Sequence, residues 1–194
     1  VMKMKKKTIK KRILAGLLVF SLIVPANVAG AKTQTVLETN VTEASEGCTL
    51  VGVYGSYFAQ AEEALAKINE IRKEACEAGN IRDPRDSGRY LQPSDYVPLK
   101  WSSDLEYIAR IRAAEAGIAF RFMDSGHDRL NEKDTFSIGS NGISSSSEDL
   151  AYYYVKDMIE GILLWYSEKQ YWVKQDFSEE TGHYKSMINP KYTY

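Results

Sequence analysis

The chain has 194 residues, 25 Lys and Arg against 26 Asp and Glu, and 44% hydrophobic residues. Its net charge of −1 hides an asymmetry: residues 1–31 hold seven of the basic residues and no acidic one, leaving 18 basic against 26 acidic, a net −8, for the other 163. So acidic a remainder lacks the basic footprint that nucleic acid or anionic lipid requires, and its length suits one domain around one core.

In chain order, Met2–Arg12 ("MKMKKKTIKKR") is basic, and Ile13–Val24 is an apolar run of twelve, short for a bilayer span. Ala29–Ala31 ("AGA") offers small residues where a signal peptidase cuts. Residues 1–31 read as a secretory signal peptide of bacterial style, and nothing later reads as a membrane span, which makes the mature chain secreted, extracellular or at the cell surface. Export would leave Cys48 and Cys76, the two cysteines, in an oxidising exterior. A bridge between them would add roughly 3–4 kcal/mol through loop entropy. Spacing alone leaves open whether they pair.

Residues 32–56 read as an extended polar lead-in and 57–194 as the domain. Phe58, Ala61, Leu65, Ile68, Ile71 and Ala75 recur at helical steps from Tyr57 to about Ala78, with Gly79 as the stop. "NIRDPRDSGRYLQPSDYVP" reads as a loop. A second helix follows, with Ser103 and Glu106 as a capping box and Leu105, Ile108, Ala109 and Ala116 as its buried stripe. Residues 134–147 read as a loop ending in the serines 144–147. A longer helix is predicted from about Tyr154 to Lys169, then a strand over His183–Ile188 and the start of another at Tyr192–Tyr194.

The chain has two histidines, His127 in "DSGHDRL" and His183 in "TGHY". With Glu148 and Glu168 they are the residue types that a divalent metal or a general acid–base pair uses. Spacing does not bring them together, since no pair has the step of a HExxH helix. No serine or cysteine nucleophile with a partner is evident. Tyr152, Tyr153, Trp165, Tyr171 and Trp172 read either as core or as the wall of a groove for a lipid or a glycan.

Taken in order, "LKWSSDLEYIARIRAAEAG", "SGHDRLN", "SSEDLAY", "LWYSEKQYW" and "ETGHYKSMIN" resemble the CAP superfamily, or SCP domain: cysteine-rich secretory proteins, antigen 5, plant pathogenesis-related proteins and bacterial secreted relatives. The resemblance runs from about Leu65 to the C-terminus. It implies an α+β fold, a three-layer α-β-α sandwich. Its cleft would carry two histidines and two glutamates that hold zinc or another divalent cation in several members. Carried over, these are His127 and His183 as metal ligands and Glu148 and Glu168 as their cleft carboxylates. Ser147 stands where glycine is usual and Ser186 where many members have glutamine, and Asn189-Pro190 replaces an aromatic segment. Relatives continue beyond "INPKYTY", so the resemblance also implies that the C-terminal strand or strands of the sandwich are missing.

The expected function is a secreted binding or interaction module with a weak divalent-metal cleft, facing a small ligand (lipid or glycan) or an envelope or host protein. The alternative is a metal-assisted hydrolase acting on envelope peptides or esters, with Glu148 and Glu168 as its candidate catalytic groups.

Overall fold

The structure, a computed structural model, describes residues 32–34, 43–44, 46–50, 52–53, 55–122, 126–152 and 155–194. The signal peptide read over 1–31 lies outside them. Among the described residues no helix is long and apolar enough to cross a membrane.

The architecture is α+β. Strand β1 (Lys32–Gln34) pairs in parallel with β2 (Cys48–Leu50). Helix α1 (Ala61–Glu77) begins later than its periodicity suggested, with Phe58 exposed ahead of it. Its inward face is Ala64, Ile71, Arg72, Ala75 and Cys76. It stops as expected at Gly79, whose φ of +72° suits a residue without Cβ.

The proline-containing stretch after α1 holds more order than a loop. There β3 (Arg82–Asp83) and β4 (Asp86–Tyr90) form an antiparallel hairpin, with Ile81 and Leu91 fully buried at its base. Helix α2 (Ser103–Phe122) starts where expected but is capped differently. Ser102 Oγ accepts the Leu105 N–H, while the Glu106 carboxylate is taken by the Trp101 indole N–H and by Arg110. The buried stripe also shifts: Ala109 is exposed, and Ile108, Ile111, Arg112, Glu115, Ala116 and Ala119 lie inward.

Strands β5 (Gly139–Ser140) and β6 (Ile143–Ser144) form a short hairpin packed on α2. The long helix expected to end at Lys169 is instead two. Helix α3 (Met158–Tyr166), capped by Asp157 Oδ1 on the Glu160 N–H, breaks at Ser167–Glu168 before α4 (Lys169–Lys174). The strand expected over His183–Ile188 is helix α5 (Gly182–Met187). Tyr184, Met187 and Ile188 share one helical face at steps of three and four, and all three are buried, which a strand's alternation could not achieve. Tyr192–Tyr194 is likewise not a strand.

The main core joins Ile71, Ala75 and Cys76 of α1 to Ile162 of α3, Trp172 of α4 and Tyr184, Met187 and Ile188 at α5. A smaller one sits under α2, where Ile108 and Ile111 meet Ile138. Arg72 is buried and donates to the carbonyls of Val97, Met187, Asn189 and Tyr192 at 2.7–3.0 Å, clamping the last residues to α1. Cys48 and Cys76 are both free thiols, so the bridge considered for them is not formed; Cys76 faces the core from α1.

Candidate functional site

The site starts from charges that α2 carries inward. Arg112 and Glu115, one turn apart, are 3% and 0% exposed. Burying a charge in this way is tolerated only when it is paired and hydrogen-bonded. Glu115 takes the Arg129 guanidinium at 2.7 Å and bonds Arg112 on its other side. Arg112 also donates to both Glu148 carboxylate oxygens, Nε to Oε2 at 2.7 Å and Nη2 to Oε1 at 3.0 Å. Its Nη2 bonds the carbonyls of Gly126 and His127, both at 3.0 Å. Gly126 cannot be replaced without moving its neighbour, because a Cβ there would lie 2.2 Å from the Phe120 ring.

This network fixes the backbone at His127 and the carboxylate of Glu148, and the two meet. His127 Nδ1 lies 2.9 Å from Glu148 Oε1. The second pair forms at the break between α3 and α4, where His183 Nδ1 lies 2.6 Å from Glu168 Oε1. Glu168 Oε2 accepts the Tyr184 N–H at 3.0 Å, meeting one of the donors that the first turn of α5 leaves unpaired. The Trp165 ring stacks on the His183 ring at 6.0 Å. In each pair a carboxylate acceptor requires the neutral imidazole to carry its proton on Nδ1, leaving Nε2 as the lone-pair nitrogen.

Segment 147–149 runs between the pairs, and its successive residues address opposite neighbours. Glu148 turns to Arg112 and His127. Ser147 and Asp149 turn to α5: Ser147 Oγ lies 3.0 Å from Ser186 Oγ, and Ser186 hydrogen-bonds the Asp149 carboxyl. Burial pushes that carboxyl up to about 6, against the lowering pull of Ser186, His183 and His127, with Glu168 adding to the rise. Asp149 therefore feels both imidazoles and is the electrostatic link between the pairs. Ser147, Asp149, Trp165 and Ser186 open onto a cavity of about 410 Å³.

Among the described residues no three His, Cys, Asp or Glu side chains form a ready-made metal-ligand set. What fits a divalent cation is the donor chemistry of two imidazoles, each oriented from behind by a carboxylate, the arrangement that metal-ligating histidines use. Of the aromatic groove candidates, Trp172 is core, Tyr171 is partly buried, Tyr152 is exposed and stacked on Phe120, and Trp165 borders the cavity. Tyr153 lies outside the described residues.

Sequence reasoning passed over Arg112, Glu115, Arg129 and Asp149. A signal for the first two was present: Ile108, Arg112, Glu115 and Ala119 follow one helical face, so a charged pair interrupts an apolar stripe. Asp149 carried no such mark.

No match to the chain was found among curated proteins or among solved structures. A family model described as the cysteine-rich secretory protein family, CAP, matches residues 65–194. That stretch includes both imidazole–carboxylate pairs, the buried α2 network and the cavity, and the chain belongs to the CAP family.

Proposed function

We propose that this chain is a secreted CAP domain acting as an extracellular binding or interaction module, with a cleft built on His127–Glu148 and His183–Glu168 that takes a divalent cation such as zinc. One observation carries the reading: both histidines of the chain are held through Nδ1 by a buried or nearly buried carboxylate, at 2.9 and 2.6 Å. These two carboxylates are themselves anchored, Glu148 by Arg112 and Glu168 by the Tyr184 N–H, an arrangement that costs desolvation and leaves Nε2 as the nitrogen free to face a metal. A bound cation would supply a Lewis-acidic point for an anionic or water ligand.

The test is a zinc titration of the purified protein by calorimetry, with His127→Ala and His183→Ala. Each substitution is expected to abolish or greatly weaken uptake. Equal uptake by wild type and both variants would sink the cleft. Hydrolytic turnover that disappears in Glu148→Gln or Glu168→Gln would move the chain to the alternative, a metal-assisted hydrolase of envelope peptides or esters.

A further inference from the structure

The cavity of about 410 Å³ is within the range of small-molecule sites. Its wall is of two kinds. One side is hydroxyl- and carboxyl-bearing: the Ser144–Ser147 run, Asp149 and Ser186. The rest of the lining is largely apolar, with Leu99, Leu105, Trp165 and Met187, joined by the polar Lys191 and residues 192–194. The Trp165 indole N–H is already given to the Leu150 carbonyl at 3.2 Å, so this ring offers the cavity hydrocarbon surface and no donor. Arg72 also borders the space, but its guanidinium is committed to four backbone carbonyls.

These features exclude ligands in turn. An acyl chain would cover the hydrogen-bonding capacity that Ser147, Ser186 and Asp149 keep beyond their bonds to one another, which is costly. A phosphate or carboxylate would face Asp149, with Lys191, among the described residues, as the one cation on the wall not already committed to carbonyls. A molecule with an apolar face and a rim of neutral hydroxyls satisfies both walls. Its hydroxyls can donate to Asp149 and exchange bonds with Ser147 and Ser186, which already bond each other at 3.0 Å.

We infer that the cavity between segment 144–149 and α5 is a binding site for a neutral, hydroxyl-rich ligand, a short oligosaccharide, seated on Trp165 with its hydroxyls on Asp149, Ser147 and Ser186. The inference rests on the binding-module reading but not on the metal.

The experiment titrates the ¹⁵N-labelled full chain with cellobiose, maltose and N,N′-diacetylchitobiose in the presence of EDTA, following the Trp165 indole N–H. At least one probe is expected to shift that signal saturably. Ser186→Gln, which puts a longer side chain into the space, should abolish the shift. Ser147→Gly, which only deletes a hydroxyl, and Asp149→Ala should each weaken binding about tenfold. The site is overturned if none of the three sugars moves the signal, if the shift survives Ser186→Gln in a folded variant, if Ser147→Gly and Asp149→Ala both bind like wild type, or if laurate, glucose 6-phosphate or tetramethylammonium binds more tightly than every sugar. A separate zinc titration without EDTA reads the cleft independently, so loss of one reading leaves the other intact.

Discussion

Glu168 holds His183 and Tyr184 at once: one carboxylate oxygen lies 2.6 Å from the His183 ring nitrogen, and the other accepts the Tyr184 backbone N–H at 3.0 Å. The ring is thereby fixed to the first turn of α5 by a residue from the break between two other helices. Glu168→Gln keeps an acceptor for the Tyr184 N–H but removes the charge behind the imidazole. Zinc affinity, read by calorimetry, is expected to fall about tenfold or more with the fold retained. Unchanged affinity in a folded variant would detach Glu168 from the cleft.

Arg112→Met takes from Glu115, which has no exposed surface, its ion pair with Arg112, and strips Glu148 of its bidentate partner. Removing one member of a buried ion network costs about 3–5 kcal/mol. Arg110→Met on the same helix breaks an exposed pair with Glu106 and is expected to cost no more than about 1 kcal/mol. Urea unfolding of the two variants side by side checks the contrast.

Asp149 makes stability depend on pH. Its folded carboxyl sits at about 6, above the ordinary 3.8, because burial disfavours the charge. The folded state therefore binds the extra proton between those values, so this group's contribution is greatest below about 3.8 and is lost as pH rises through about 6. Two pH units correspond to about 3 kcal/mol at most. Asp149→Asn should accordingly be more stable than wild type at pH 8, with the gap closing towards pH 4, as followed by thermal melts across that range. A gap independent of pH would contradict the buried charge.

The Tyr184 hydroxyl is buried without a hydrogen-bond partner among the described residues. Burial raises its pKa, so it stays a neutral, unmet polar group. Tyr184→Phe removes the hydroxyl and keeps the ring against Tyr166. The variant is expected to match or exceed wild-type stability, by about 1 kcal/mol. A clear loss in denaturant titration would mean that the hydroxyl is bonded in solution.

How far the sequence could be read differs from element to element. Helix α1 and the start of α2 were visible because a helix repeats its apolar residues within the local chain. Helix α5 was mistaken for a strand, since six residues with aromatic and β-branched neighbours carry too little periodicity to separate the two, and only burial of Tyr184, Met187 and Ile188 against α1, α3 and α4 decides it. The capping residue moved from Ser103 to Ser102 because Trp101 and Arg110 compete for the Glu106 carboxylate.

The sequence by itself determined α1 and the start of α2, the acidity beyond residue 31 and, through five ordered motifs, the family and the four residues worth watching. Tertiary structure alone decided which carboxylate serves which imidazole, that Arg112 and Glu115 are buried, and that Ser147, Asp149 and Ser186 share a cavity. Such pairings join residues 15 to 39 positions apart. Periodicity reports only a residue's own helix or strand, whereas these contacts depend on how separate elements pack.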